Sequence, residues 1–480
     1  MGSTMEAPDP RRWTALGVVC LAFFMTVLDV SIVNVALPSI ATDLQFSESG
    51  LQWVITAYAI TFGGFLLLGG RAADLLGRRR MFVWGVVLFT TASFVCGLAT
   101  SDTALIAARA VQGLGAALVS PAGLSIVSTT FTEGRERNKA LGIWGAVGGS
   151  GAAVGVLAGG VLTEYLGWEW IFFVNVPVGI AVLALVRRFV HESRAEDIDR
   201  AADPLGAITI TGGLALLVYT ISKAPQEGWS SGRTIGLGVV AVALLASFVL
   251  VESRVRAPLV RLSFFRHQTV SASNVVGFLL GAALFSNFFL LTLFVQQVLG
   301  FSALKAGVTF LATAGTAVVV AGGAQALTTR IGAKPVMAAG LALLGAGAVV
   351  YTQLPVDASF GSNLLLGYVL VGVGIPMSFI PVSISALAGV EAHEAGLASG
   401  LINTSQQIGG AIGVAVASSI LVTRVDTLVR SGTAPPDAIT DGVHLAFWVV
   451  AGVAALAVAA ALVFVRSDEL LAGAEAEHTS

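Results

Sequence analysis

The chain has 480 residues, of which 56% are hydrophobic and only 11% charged, with a formal net charge of −2. Soluble domains carry about 25% charged residues, so lipid is the simplest solvent for most of this sequence. The near-neutral balance offers no basic face to nucleic acid, and Cys20 and Cys96 both sit inside apolar runs, where they read as small buried hydrophobes and not as a disulfide or metal pair.

Runs long enough to cross a bilayer need about 20 mostly apolar residues. The first, at 13–37, follows Arg11 and Arg12 and outlasts a signal-peptide core of roughly 7–15 residues, so it is expected to stay as the first span. Six more follow at 51–70, 81–99, 104–126, 140–162, 170–187 and 205–222, and a further seven at 234–252, 270–296, 306–328, 335–353, 362–388, 398–422 and 443–465. With both termini in the cytoplasm, twenty Lys and Arg fall on the cytoplasmic side. Five (Lys223, Arg233, Lys305, Arg424, Arg430) fall on the other, and Arg109 lies inside a span. Basic residues resist translocation, so this excess selects that orientation: a multi-pass protein of the inner cell membrane.

The polar segment RRFVHESRAEDIDRAADP (187–204) reads as a cytoplasmic linker. The expected architecture is an all-α polytopic membrane protein of two six-helix bundles plus two extra central helices. The expected divisions are 1–190 for the N-terminal bundle, 191–266 for the linkers and extra pair, and 267–480 for the C-terminal bundle and tail. GGRAADLLGRRR (69–80) after the second span is echoed by TTRIGAKP (328–335) after the tenth, as repeated halves would produce. Many secondary transporters place the substrate site between such halves.

Ionisable groups at membrane depth cost about 2.5–3.5 kcal/mol on insertion scales and are functional candidates by default. Asp29 lies well inside the first span (FFMTVLDVSIVNVALP), as either a reversible proton site or a permanently paired structural acid. Arg109 opens RAVQGLGAALVSPAG in the fourth span, with Gln112 on the same helix face. It can hold a carboxylate or substrate, or anchor itself on backbone carbonyls. Gly148, Gly151, Gly155 and Gly159 form a small-residue stripe in the fifth span, suited to close helix packing or to a sliding surface. Asn34, Gln112, Asn274, Asn287, Asn403 and Gln407 are candidates to line a substrate cavity, although amides in membranes more often join helices. No HExxH, GxSxG or GxxxxGK[ST] pattern is present, so neither hydrolytic chemistry nor ATP-driven pumping by this chain is expected.

These segments resemble the major facilitator superfamily, and within it the fourteen-span drug:proton antiporter branch of multidrug and antibiotic exporters. LDVSIVNVALPSI (28–40) is similar to that branch's first-span motif, and RAVQGLGAA (109–117) to its fourth-span motif. GGRAADLLGRRR resembles the superfamily's loop signature, with Gly70, Asp74, Gly77, Arg78 and Arg79 in register. WEWIFFVNVPVG (168–179) and GLASGLINTSQQIGGAIGVA (396–415) also look like segments of this branch, so the likeness spans nearly the whole chain. The resemblance implies proton coupling through Asp29 and Arg109, and a loop in which Asp74 and its arginines lock helix ends in one of two access states.

Departures from the pattern are informative. The fifth-span antiporter motif normally ends Gly-Pro-x-x-Gly-Gly; here it reads GVLAGG, with Gly155, Gly159 and Gly160 kept and Val156 replacing the kink-forming proline. Leu75 replaces a frequent basic residue of the loop signature, and Glu169 stands where Arg is usual. The tenth and thirteenth spans hold no Asp or Glu, where relatives handling dications tend to place acids; neutral, zwitterionic or anionic substrates are expected instead. The reading is a proton-gradient-driven exporter of small organic compounds, acting as a monomer without cofactor or metal. Proton-symport uptake is the alternative that Val156 keeps open, and a non-transporting membrane sensor is a third.

Overall fold

A computed structural model of the chain describes residues 11–131, 135–194, 203–255, 258–259, 268–386 and 395–465. The charged centre of the expected linker (195–202) and the tail from 466 lie outside these residues.

Helices occupy every expected span. They are α1 (Arg12–Asp43), α2 (Trp53–Leu76), α3 (Arg78–Gly97), α4 (Asp102–Thr130), α5 (Arg135–Tyr165), α6 (Trp170–Phe189) and α7 (Pro204–Glu227). Then come α8 (Gly232–Glu252), α9 (Gln268–Val298), α10 (Ala303–Ile331), α11 (Ala333–Tyr351), α12 (Phe360–Ala386), α13 (Ala395–Arg430) and α14 (Pro435–Phe464). Thirteen are long and apolar enough to cross a membrane over their described residues, and α5 is the fourteenth helix of the series. Hydrocarbon offers the backbone no partner, so continuous helices that satisfy their own N–H and C=O groups are the structure such a sequence can form.

The helices overrun the apolar runs because hydropathy marks the stretch that faces lipid, while the hydrogen-bonded ladder continues to its caps. Ser101 Oγ accepts from Ala104 N to start α4, Asp203 Oδ1 accepts from Gly206 N ahead of Pro204 in α7, and Ser302 Oγ accepts from Lys305 N at α10. At its far end α13 runs out to Arg430, where Arg424 Nε donates 2.7 Å to Asp441 Oδ1 of α14. The two similar loops end their helices alike: Gly77 closes α2 at φ 112° and Gly332 closes α10 at φ 89°, a left-handed conformation that only glycine adopts cheaply.

α1–α6 form one bundle and α9–α14 the other. An even number of crossings returns Phe464 to the face where Arg12 lies, here the terminal face. Toward the opposite face the bundles share one apolar core, in which Leu28–Ile40 of α1 and Ile171 and Phe172 of α6 meet Leu290, Phe294, Ala303 and Phe310. Gln296 Nε2 also donates 2.8 Å to Val35 O across this junction. Toward the terminal face, by contrast, the core of Ala15–Ala22, Phe82, Ile126 and Val186 contains first-bundle residues alone.

Two seams join the bundles, and they differ. At α5–α10, a Cβ on Gly160 would lie 2.9 Å from Ala303 O, and one on Gly307 2.8 Å from Val156 O. Beyond Thr313 the seam ends: of residues 318–331 only Ala324 and Thr328 are buried, and Val319 is 82% exposed. That is more surface than one lipid-facing stripe accounts for. The α2–α13 seam stays in contact further, at Gly63 against Gln407 and at Gly400 against Leu67.

The extra pair α7–α8 lies over this second seam. Leu214 and Val218 of α7 pack with Ala59 and Ile60 of α2 and Ala411 and Ala415 of α13. Gln52 Nε2 donates to Ser222 Oγ at the opposite-face end of this contact.

Candidate functional site: a buried carboxylate network

Arg109 is carried into the first bundle by the glycines that follow it. A Cβ at Gly113 would sit 2.5 Å from Tyr58 O of α2, and one at Gly115 2.5 Å from Phe89 N of α3, so α4 packs backbone to backbone against both. This closeness lets Arg109 Nε donate 2.9 Å to Val54 O, while its guanidinium carbon lies 4.4 Å from the centre of the Tyr58 ring. Stacking on an aromatic face suits the weakly hydrated guanidinium.

Asp29 faces this arginine from α1. Arg109 Nη1 donates to Asp29 Oδ2 at 2.5 Å and to Gln112 Oε1 at 2.7 Å, and Gln112 Nε2 returns a 2.7 Å bond to Asp29 Oδ1. The three side chains close a ring. Asn175 Nδ2 of α6 adds a third donor to the carboxylate at 3.0 Å and also reaches Ser93 Oγ at 3.0 Å, which in turn donates to Phe172 O. Cys96 Sγ lies 3.6 Å from Gln112 Oε1. Asp29 and Gln112 are 0% exposed and Arg109 1%, so charge and countercharge are both out of solvent. Such a pair survives burial where further hydrogen bonds satisfy its lone pairs and protons, and here both Asp29 oxygens and the Arg109 Nε and Nη1 have partners.

Both uses considered for Arg109, a carboxylate and a carbonyl, are thus made together. Gln112, expected to line a cavity, is instead sealed into this network. Asn175, Ser93 and Tyr58 belong to it and were not singled out from sequence; the one signal was Asn175 inside the WEWIFFVNVPVG segment.

The other candidates lie apart from the network. Asn34 donates to Val30 O within α1. Asn274 donates to Val270 O and accepts from Ser405 Oγ, joining α9 to α13, while Asn287 is buried at 5% exposure. Asn403 is exposed and Gln407 half-buried against Gly63. In α5, Gly155 and Gly159 face Leu28 O and Ile32 O of α1 at 2.7 and 2.8 Å from their Cβ positions, whereas Gly160 faces α10. Gly155, Gly159 and Gly160 thus pack backbones closely.

At the terminal face, Asp74 accepts from Arg78 at 2.9 Å within one helical turn of chain. Gly70 makes only ordinary contact with Pro121. Glu192, beyond α6, was not anticipated: its carboxylate takes the backbone N–H groups of Arg79 at 3.1 Å and Arg80 at 3.2 Å, and Arg79 Nη1 donates to Val190 O. It caps the start of α3, where the helix dipole favours a negative charge.

Residues 19–414 match the family model described as Major Facilitator Superfamily. A puromycin resistance protein of Streptomyces alboniger is 40% identical over 92% of this chain and 88% of its own. A cephamycin export protein of Amycolatopsis lactamdurans is 41% identical over 84% of each chain. Among solved structures, a POT family transporter, PepTSo, superposes with a TM-score of 0.70 at 16% identity, covering 95% of this chain and 98% of that one.

Proposed function

The chain belongs to the major facilitator superfamily, and from that premise we propose that it exports small organic compounds, antibiotics among them, in exchange for protons. Relatives of about 40% identity over most of their length are named for antibiotic resistance and export, which supports the direction. The observation that carries proton coupling is the ring of Asp29, Arg109 and Gln112, closed by bonds of 2.5–2.7 Å and shut off from solvent.

In this reading a proton taken by Asp29 cancels its charge and leaves the Arg109 guanidinium buried without a counter-ion. That state is costly, so protonation drives Arg109, and α4 with it, toward a new partner. The substrate's own carboxylate, phenolate or enolate can serve as that partner, which favours neutral, zwitterionic and anionic substrates over dications. Deprotonation resets the ring.

The protein sits in the cell membrane with both termini cytoplasmic and works as a monomer, with the proton gradient as its energy source. The divisions 1–190, 191–266 and 267–480 act as bundle, central pair and bundle. The exposed terminal-face half of α10 then belongs to an inward-facing state, and Asp74 with its arginines biases the exchange of states. Asn274, Asn287, Asn403 and Gln407 border the path of the substrate.

Proteoliposomes with an imposed pH gradient test this reading. Candidate compounds should be expelled against their own gradient while the pH gradient dissipates; accumulation in the opposite sense would establish symport instead.

A further inference from the structure

Val54 and Tyr58 stand one turn apart on α2, so one face of that helix presents both the carbonyl that accepts from Arg109 Nε and the ring against its guanidinium. The ring is fixed in place. Tyr58 is 2% exposed and packs with Met25 of α1, Phe89 of α3 and Ala116 of α4. A second ring, Phe172 of α6, has its centre 5.7 Å from the same guanidinium carbon. Tyr58 Oη, by contrast, is buried with no hydrogen-bond partner among the described residues. What position 58 offers Arg109 is therefore the face of the ring and not the hydroxyl.

That face matters most when Asp29 carries a proton. Among the described residues Arg109 forms one ion pair, with Asp29. The groups that α3 and α6 bring to the network are the Cys96 thiol, Ser93 and Asn175, none of which supplies a fixed negative charge. Once the carboxylate is neutral, the cation keeps Val54 O, Gln112 Oε1 and the negative face of the aromatic ring. Such a face attracts a cation most strongly where water is excluded.

We propose that Tyr58 is a positioning residue that holds the Arg109 cation through the interval in which Asp29 carries the proton and no anionic substrate has arrived. Seated on α2, the guanidinium stays aimed toward the side from which Asp29 meets it, ready for the substrate's anion. Tyr58 thereby stabilises the unpaired state without exchanging a proton itself. The role rests on the proton-coupling reading.

Fluorine on the ring weakens its negative face and barely changes its shape, so Tyr58→Phe and its mono-, di- and trifluorinated counterparts form a graded test. The series is made twice, with Asp29 intact and with Asp29→Asn in place of the protonated carboxyl, and thermal unfolding is followed in nanodiscs with no transport required. Each fluorine should lower the melting temperature at least twice as far in the Asp29→Asn protein. Proton-driven transport in proteoliposomes, run with Asp29 intact and so independent of how well Asp29→Asn folds, should fall stepwise by at least threefold from Tyr58→Phe to the trifluorinated ring. Equal slopes in the two backgrounds, transport indifferent to fluorination, or a loss already complete in Tyr58→Phe would overturn the proposal. Stepwise effects with transport indifferent to the pH gradient would refute proton coupling and this role with it. The same effects in a protein that imports its substrate would refute the export direction and leave the role of Tyr58 standing.

Discussion

Asn175 Nδ2 lies 3.0 Å from Asp29 Oδ1, a bond between α6 and α1 across 146 residues of sequence. It gives the carboxylate its third donor and ties it to Ser93 on α3. Asn175→Ala should leave the fold intact and slow proton-driven transport by about tenfold or more, since a hydrogen bond to a charged group contributes about 1.5–3 kcal/mol. Initial rates in proteoliposomes, beside melting curves, check this; an unchanged rate would count against a role for Asn175.

Asp29→Asn keeps the shape of the side chain but cannot titrate, and it leaves Arg109 buried without its counter-ion. Removing one partner of such a pair costs about 3–5 kcal/mol, so the melting temperature should fall along with gradient-driven transport. The double variant Asp29→Asn with Arg109→Gln should regain much of the stability and none of the coupling. Wild-type transport by either would remove Asp29 from the proton path.

Gly160 has room for no side chain: its Cβ would stand 2.9 Å from both Ala303 O and Leu304 Cα. Gly160→Val should wedge the α5–α10 junction and shift the population toward opening at the opposite face. Labelling of a cysteine placed at Ser302 should become several-fold faster. The same rate in both proteins would mean that this contact does not hold the junction shut.

At the terminal face, Glu192→Ala should expose the first N–H groups of α3 and cost about 1 kcal/mol, the usual effect of losing a helix cap. Gly77→Ala should cost more, because the position needs φ 112° and its Cβ would lie 2.7 Å from Glu192 Oε1. Denaturation in mild detergent ranks the two. Asp74→Asn, which removes only an i,i+4 pair with Arg78, should change stability by a few tenths of a kcal/mol at most while altering the distribution of terminal-face distances.

The spans could be read from the sequence because burial in lipid writes itself into local composition, and Asp29 and Arg109 stood out because a charge there is conspicuous. Their pairing was not written locally: 80 residues separate them, and only the packing of α1 and α4 in one bundle brings them together. Asn175 and Ser93 carry no charge and sit among residues ordinary for a membrane helix, so apart from the segment that holds Asn175 only the folded geometry distinguishes them from other amides and hydroxyls. Gln112 was misplaced for the same reason, since periodicity gives a helix face but not what that face meets. Hydropathy located α7 and α8 as apolar runs without any hint that α7 rides over the contact of α2 with α13.

That placement makes the two sides of the molecule mechanically unlike. With α7 packed on both α2 and α13, one edge of the central cleft is strapped, and relative movement of the bundles there must drag a third helix and its partner through lipid. Among the described residues the α5–α10 edge has no such strap, and of residues 318–331 of α10 only Ala324 and Thr328 are buried. The protein is accordingly built less like a symmetric rocker than like a door, with its hinge post along α2, α7 and α13 and its free edge at α10.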